Sequence, residues 1–254
     1  MNKKILVIYL YIFSVIIVGA TIGVVRFIYL SSQLTNIKKE VSVQSKIAVA
    51  PTATIQPSPT VVSDKPLPET ADIAVPYAAQ APFSNWTVHE ESCEEAAILM
   101  YHEFLIGTTY LGNKITDAAG DTALRDMKSW QIKNYGSELD LSMDALGKFA
   151  SDYYSLKPVV KRDMAEVDIK RALFAGSPVL VPVMTHSLQN NMYGPYTVYH
   201  ILLIKGYDAT GVITNDAGVG NGQNHHYDWN ILWQAIDAQA AKMNQGRTML
   251  TLTK

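Results

Sequence analysis

An uncharged run near the N-terminus constrains this chain more than any other feature of its sequence. The 21 residues from Ile5 to Val25 contain no charged side chain and are rich in Ile, Val and Leu. At about 1.5 Å of rise per residue, a helix of this length spans the roughly 30 Å hydrocarbon core of a bilayer. We therefore predict one membrane-spanning helix within residues 1–30, preceded by Lys3 and Lys4 as in a signal-anchor. Cleavage near residues 18–20, which would release a secreted form, is the alternative.

The composition changes after this run. Residues 31–70 are polar, and the part from Ala50 to Thr70 contains five prolines and many Ser and Thr residues. Such a segment has too little apolar surface to fold, so we interpret residues 31–70 as a linker and residues 71–254 as one folded domain. The domain carries fourteen Lys and Arg against twenty Asp and Glu. We expect no nucleic-acid partner, because an acidic domain lacks the basic surface that such binding requires.

Helical patterns precede most strand patterns in the predicted domain. Helices are predicted at residues 93–106, 121–133, 142–154, 164–175 and 229–243. Strands are predicted at residues 178–183, 197–204, 212–215 and 248–252, with a short edge strand at 72–77. This segregation favours an α+β fold over an alternating α/β fold.

Cys93, the only cysteine of the chain, stands at the predicted start of a helix. Ser92 and Glu95 have the spacing of a capping box, which would make Ser92 the N-cap and Cys93 the first helical residue. The positive end of the helix dipole would then favour the thiolate, the nucleophilic form of cysteine. The alternative is an inert, buried cysteine. A single cysteine also excludes an internal disulfide, so the core alone must stabilise the domain.

A cysteine nucleophile needs a base, a group that orients the base, and donors for the oxyanion. Among the six histidines, His200 is the best candidate for the base, because it lies inside the strongest predicted strand. Asp216 ends the next strand, sixteen residues later. The two side chains share a face of the sheet only if the connecting turn has the right parity or the hairpin contains a bulge. The alternative for His200 is a hydrogen-bonded core histidine.

The order of these residues resembles that of papain-like cysteine peptidases, in which a Cys at a helix start is followed by a strand His and then by Asp or Asn on the adjoining strand. Three segments resemble more specifically the bacterial peptidase family thirty-nine-like domains, relatives of the bacteriocin leader peptidases that cut after double glycine. These segments are VPYAAQ at 75–80, YHILLIKGYD at 199–208 and ITNDAG at 213–218. The resemblance covers residues 73–236 and implies a papain-like α+β fold.

The resemblance also implies roles for individual residues. Cys93 would be the nucleophile, His200 the general base and acid, and Asp216 the group that orients His200. Gln80 would be the side-chain oxyanion donor beside the backbone N–H of Cys93, although it stands thirteen residues before Cys93, a longer gap than in papain-like enzymes generally. Many family members have glycine after the cysteine, whereas this chain has Glu94, whose charge opposes ionisation of a thiol.

The sequence therefore predicts a membrane-anchored cysteine peptidase or related hydrolase, with its domain outside the cytoplasm. A cell-wall amidase, an acyl transferase and a non-catalytic peptide or wall binding module on the same fold are alternatives. We expect a peptide or protein substrate, with no cofactor and no metal. Trp86 is predicted to contact substrate, with core packing as its alternative.

Overall fold

The computed structural model describes residues 66–137 and 140–254. These residues fall within one structural unit, Lys65–Lys254. The predicted membrane helix and residues 31–65 of the predicted linker lie outside the described residues. Within the described ranges, no helix is long and apolar enough to cross a membrane.

The described residues form six α-helices and seven strands. The helices are α1 (Trp86–His89), α2 (Cys93–Ile106), α3 (Asp117–Tyr135), α4 (Met143–Tyr154), α5 (Glu166–Phe174) and α6 (Trp229–Lys242). The strands are β1 (Ala71–Asp72), β2 (Lys157–Arg162), β3 (Val179–Met184), β4 (Tyr199–Tyr207), β5 (Gly211–Asn215), β6 (His225–Asp228) and β7 (Thr248–Thr253). Short 3₁₀ helices occupy Leu111–Asn113, Thr185–Leu188 and Asn191–Tyr193.

The seven strands form one sheet in the order β2-β7-β3-β4-β5-β6, and β1 pairs with the C-terminal end of β4. Every strand pair in it is antiparallel. The predicted α+β class is therefore confirmed. All nine residues of β4 are buried, which explains why this strand appears in the sequence as an almost continuous apolar run.

Two hydrophobic cores pack on opposite faces of the sheet. Helices α2, α3 and α4 bury their apolar side chains against one face, which includes Ile201 and Leu203 of β4. Helices α5 and α6 bury theirs against the other face, which includes Leu202 and Ile204. Successive residues of a strand point to opposite faces, so β4 contributes to both cores.

The predicted helices are all present, with ends that differ by a few residues. Helix α2 ends before Gly107, which has a φ of 77° and the left-handed conformation that glycine adopts without strain. Helix α4 begins after Ser142, whose side chain accepts a hydrogen bond from the backbone N–H of Ala145. Helix α3 is longer than predicted because it begins directly after Thr116, whose side chain accepts a hydrogen bond from the backbone N–H of Ala119.

Two strands were not predicted, and one predicted strand is shorter. Strand β2 has the sequence KPVVKR and β6 has HHYD, so neither shows an apolar alternation. The predicted strand at 72–77 is wrong beyond Asp72: only Ala71 and Asp72 pair with β4. The chain then leaves the sheet, and Tyr77 forms an isolated bridge with Lys114. Pro76, which has no N–H to donate to a strand ladder, directly precedes this bridge.

A bulge in β4 sets the parity of the hairpin that β4 forms with β5. The pairing register shifts by one residue between Ile204 and Gly206, which leaves Lys205 as the extra residue. If the register near the turn continued without this shift, Asp216 would fall on the opposite face of the sheet from His200. The bulge places the two residues on the same face.

We predict that Gly206→Ala destabilises the fold, because Gly206 lies against β1. A Cβ at Gly206 would lie 2.5 Å from the carbonyl oxygen of Ala71 and 3.0 Å from the Cα of Asp72. We expect the free energy of unfolding to fall by about 1–3 kcal/mol, as for other overpacked sites. Urea denaturation measures this loss.

Gly120→Ala is the matched control for this prediction. A Cβ at Gly120 would meet only the Cγ of Pro82, at 3.4 Å, and Gly120 lies within helix α3. We expect this variant to be unchanged or stabilised by up to about 1 kcal/mol, since alanine favours helix. Equal unfolding midpoints for Gly206→Ala and the wild type would contradict the account of β1 packing.

Candidate active site

Helix α2 begins at Cys93, as predicted, but the predicted capping box is wrong. Ser92 precedes the helix and makes no side-chain cap hydrogen bond. Its hydroxyl oxygen lies 3.2 Å from Nδ1 of His89 instead. The carboxylate of Glu95 accepts a hydrogen bond from the side-chain amide of Gln131 on α3. Both side chains therefore bind tertiary partners, which compete with the local cap.

The segment before Cys93 is fixed by a buried histidine that was not predicted from the sequence. His89 is fully buried, and its Nε2 lies 2.9 Å from Oδ1 of Asp121 on α3. Asp121 also accepts hydrogen bonds from Asn85, at 2.6 Å, and from Arg125, at 2.7 Å. This cluster ties α1 to α3 and so positions the turn that leads into Cys93.

Gln80 connects the same turn to the loop after Asp216. Its side-chain Nε2 donates to the carbonyl oxygens of His89, at 2.9 Å, and Glu90, at 2.8 Å. Its backbone N–H donates to the carbonyl oxygen of Ala217, at 2.9 Å. The two carbonyls use both hydrogens of the side-chain amide, so the role of Gln80 as an oxyanion donor stays a prediction.

Trp86 lies at the first position of α1, with 45% of its surface exposed. An exposed indole so near Cys93 in sequence is available to a ligand, and its substrate contact also stays a prediction.

The sulfur of Cys93 is buried and bound to the next side chain. Cys93 Sγ donates to Oε2 of Glu94 at 2.7 Å, and the backbone N–H of Ile201 on β4 donates to the sulfur. Burial, followed by the negative charge and the hydrogen bond of Glu94, raises the pKa of the Cys93 thiol well above its ordinary value. The expected effect of the helix N-terminus is therefore outweighed, and this structure favours the thiol.

His200 and Asp216, which the bulge in β4 places on the same face of the sheet, form a buried pair. Nε2 of His200 lies 2.9 Å from Oδ1 of Asp216, and both side chains are almost completely buried. Oδ1 also accepts from the hydroxyl of Tyr193, at 2.6 Å, and from the backbone N–H of Gly218, at 3.1 Å. Oδ2 accepts from the hydroxyl of Tyr227, at 2.6 Å.

These donors keep Asp216 ionised. Burial raises the pKa of this carboxyl, but the hydrogen bond and charge of His200, together with the two phenol hydrogen bonds, lower it below its ordinary value. Tyr193 and Tyr227 were not predicted to be site residues, because they lie in a 3₁₀ helix and in the unpredicted strand β6.

The structure brings Cys93 to the strand that carries His200, but it does not join their side chains. Strand β5 pairs with β4 only as far as Leu203, so Ile201 lies beyond the end of that ladder and its N–H reaches the sulfur. Within residues 66–137 and 140–254, no hydrogen bond connects Cys93 with His200; the thiol donates to Glu94. The same described ranges contain no group of three or more His, Cys, Asp or Glu that could hold a metal ion.

A sequence model described as the Peptidase_C39 like family matches residues 72–241. The chain belongs to this family. The resemblance inferred from Cys93, His200 and Asp216 is thereby confirmed at the level of the family. The comparison with curated proteins found no significant sequence match to this chain.

Two solved structures are similar to this C39-like chain. One, described as a candidate C39-like peptidase from Bacillus anthracis, has a TM-score of 0.50 and 14% identity, with 74% of this chain and 99% of the other covered. The other is Xylellain, a cysteine protease from Xylella fastidiosa, with a TM-score of 0.32 and 14% identity over 74% of this chain and 87% of the other. At this identity the first similarity concerns the fold alone.

We predict that Tyr227→Phe destabilises the domain, because it removes a hydrogen bond that stabilises the ionised form of Asp216. The loss of a hydrogen bond to a buried carboxylate should lower the free energy of unfolding by about 1.5–3 kcal/mol at neutral pH. Because Asp216 has a lowered pKa in the fold, its contribution is present above the unfolded value of about 4 and is lost as pH falls through the folded pKa. The difference between variant and wild type should therefore shrink in acid.

Urea denaturation at neutral and acidic pH measures both effects. Tyr196→Phe is the control, because 68% of Tyr196 is exposed and we expect its stability to be unchanged. A Tyr227→Phe variant as stable as this control would show that the phenol does not support Asp216.

Proposed function

We propose that this domain is a peptidase-type cysteine hydrolase that cleaves an amide or peptide bond. Cys93 is the nucleophile, His200 the general base and acid, and Asp216 the orienting carboxylate. One observation carries the proposal: His200, which is paired with Asp216, directly precedes Ile201 on β4, and the N–H of Ile201 donates to the sulfur of Cys93. Family membership supports the same chemistry.

In the first half of the reaction, His200 removes the thiol proton of Cys93. Asp216 occupies Nε2 of the imidazole, so Nδ1 is the nitrogen that takes this proton. The thiolate attacks the carbonyl carbon, a C–S bond forms, and the carbonyl π electrons move to oxygen. When the tetrahedral intermediate collapses, His200 protonates the leaving amine and a thioester remains on Cys93.

In the second half, water attacks the thioester. His200 takes one proton from this water while the hydroxyl oxygen bonds to the carbonyl carbon. Collapse of the second intermediate breaks the C–S bond, releases the acid product and returns the proton to the sulfur. Asp216 stabilises the imidazolium in both halves, because Tyr193, Tyr227 and Gly218 hold its carboxylate in place.

The oxyanion of each intermediate lies at the N-terminus of α2 in this proposal. The first N–H groups of a helix have no acceptor within the helix, so the backbone N–H of Cys93 can donate to the substrate oxygen. Gln80 adds a second donor only if its amide leaves the carbonyls of His89 and Glu90, to which it donates in this structure.

A non-catalytic binding module is the second candidate. The thiol of Cys93 is buried, and its proton is donated to Glu94 and not to His200. A protein that had lost catalysis while retaining the fold would tolerate this arrangement. Such a module would hold a peptide or wall fragment without cleaving it.

We further propose that residues 5–25 anchor the domain to a membrane, with the domain outside the cytoplasm. The support is the length of the uncharged run and the Pro-rich segment that follows it. Externally added protease should degrade residues 71–254 in intact cells and leave a membrane-bound fragment. Full protection of the domain would contradict this topology.

Peptide cleavage by the full-length protein in detergent tests the catalytic proposal. A mixture of synthetic peptides is incubated with the protein, and products are identified by mass spectrometry. We expect Cys93→Ala to abolish cleavage and His200→Ala to slow it by about 10²–10⁴-fold, as for the loss of a general base. His186→Ala is the control, because His186 is exposed. We expect this variant to cleave peptides at the wild-type rate.

Two outcomes would contradict a role for Cys93 in hydrolysis. Cleavage that persists in Cys93→Ala would assign the activity to other residues or to a contaminant. Peptides that bind to both the wild type and Cys93→Ala, with no cleavage by either, would favour the binding module.

A further inference from the structure

Glu94 is a buried carboxyl group that the mechanism above does not use. Only 3% of its surface is exposed. Its Oε2 accepts the thiol proton of Cys93 at 2.7 Å, and its Oε1 accepts from the backbone N–H of Leu141 at 2.9 Å. Both oxygens are thus fixed, one of them directly on the proposed nucleophile.

The surroundings of Glu94 disfavour its negative charge. Within the described residues, no Lys, Arg or His forms an ion pair with it, and a buried carboxylate without a cation is costly. Burial raises the pKa of Glu94 to about 7, although the hydrogen bonds from Cys93 and Leu141 act in the opposite direction. Glu94 therefore changes its charge close to neutral pH.

The other titratable groups that face Glu94 come from three elements. Asp140, in the loop before α4, adds to the cost of ionising Glu94; its own pKa is raised by burial and lowered in part by Lys242 of α6. Tyr199 on β4 stays neutral, because burial and then the charge of Glu94 raise its pKa well above the ordinary value. Glu95, the next residue of α2, is bound to Gln131.

We propose that Glu94 is a positioning residue that controls the proton of Cys93 and permits a reactive thiolate only while Glu94 itself is neutral. This inference rests on the proposed roles of Cys93 and His200. An ionised Glu94 accepts the S–H proton and would lie 2.7 Å from a thiolate, so two negative charges would repel each other and the thiol is retained.

A neutral Glu94 has the opposite effect. Its O–H donates to the sulfur, which stabilises a negative charge there. The S–H bond of Cys93 then breaks, the proton bonds to Nδ1 of His200, and the electron pair remains on sulfur. The net change is the uptake of one proton from solvent by Glu94, and no oxidant or reductant takes part.

This arrangement inverts the pH dependence of an ordinary thiol. As pH rises through about 7, Glu94 loses its proton and the thiolate regains one from His200. The reactivity of Cys93 should therefore fall between about pH 5 and pH 8, whereas that of an ordinary thiol rises.

The test uses the full-length protein and the variants Glu94→Gln and Glu95→Gln. Because Cys93 is the only cysteine, thiolate absorbance near 240 nm, relative to Cys93→Ser, and the rate of alkylation by iodoacetamide both report on one sulfur. Gln at position 94 keeps an oxygen for the N–H of Leu141 and a permanent donor for the sulfur. Glu95→Gln removes the same charge one residue away and is the matched control.

We expect Glu94→Gln to retain its thiolate above neutral pH and to be alkylated about tenfold faster than the wild type at about pH 8. Glu95→Gln should stay within about twofold of the wild type, because the charge of Glu95 is the last of the causes that raise the pKa of Cys93. Equal rates for Glu94→Gln and the wild type, or equal effects of the two variants, would overturn the proposal. If Glu94→Gln does not fold, the pH profile of the wild type is the test. A thiolate absorbance that rises steadily with pH in the wild type would contradict control of the Cys93 proton by Glu94.

Failure of this inference can be told apart from failure of the proposed function. A wild-type protein that cleaves peptides through Cys93 but shows an ordinary thiol profile contradicts only the role of Glu94. An inverted profile without peptide cleavage supports Glu94 and contradicts the hydrolase.

Discussion

The structure depends on β4, a buried strand that contributes to both hydrophobic cores and carries His200 of the candidate site. All nine of its residues are buried, and its apolar side chains are divided between the two cores, so its register with its neighbours is tightly specified. Within that constraint, the bulge at Lys205 turns Asp216 to the face of His200. The end of the β5 ladder leaves the N–H of Ile201 for the sulfur of Cys93. The geometry of the candidate site follows from where the pairing of β4 with β5 is shifted and where it stops.

Two buried carboxyl groups near the site have opposite environments. Asp216 receives hydrogen bonds from His200, two tyrosines and one backbone amide, which together favour its ionised form. Glu94 has one thiol, one backbone amide and, within residues 66–137 and 140–254, no paired cation, so burial raises its pKa to about 7. Environments that move the pKa values of two acids apart are a common basis for assigning different roles to them. We propose that Asp216 orients His200 and that Glu94 controls the proton of Cys93, the proposed nucleophile.

Much of the fold could be predicted from sequence, because its signals are local. The serine before α4 and the glycine after α2 fix helix ends through their own conformations, and β4 is apolar enough to be recognised alone. Strands β2 and β6 could not be predicted, since their polar sequences pair only because the rest of the sheet offers them an edge. The spacing predicted that Asp216 lies near His200, but whether the two share a face depends on the bulge beside Gly206, which the strand pattern alone left open. The hydroxyl groups that support Asp216 come from a 3₁₀ helix and from β6, neither of which was predicted. The hydrogen bond between Cys93 and Glu94 depends on side-chain orientation.

The central claim is that Cys93 and His200 act on one substrate carbonyl. A crystal structure of the protein treated with a peptide aldehyde tests it most directly, because an aldehyde traps the tetrahedral state as a hemithioacetal. The account predicts a covalent adduct on Sγ of Cys93, with its oxygen bound by the N–H of Cys93 and Nδ1 of His200 within about 3.5 Å of the adduct. A free sulfur still bonded to Glu94, or an adduct that His200 does not approach, would contradict it.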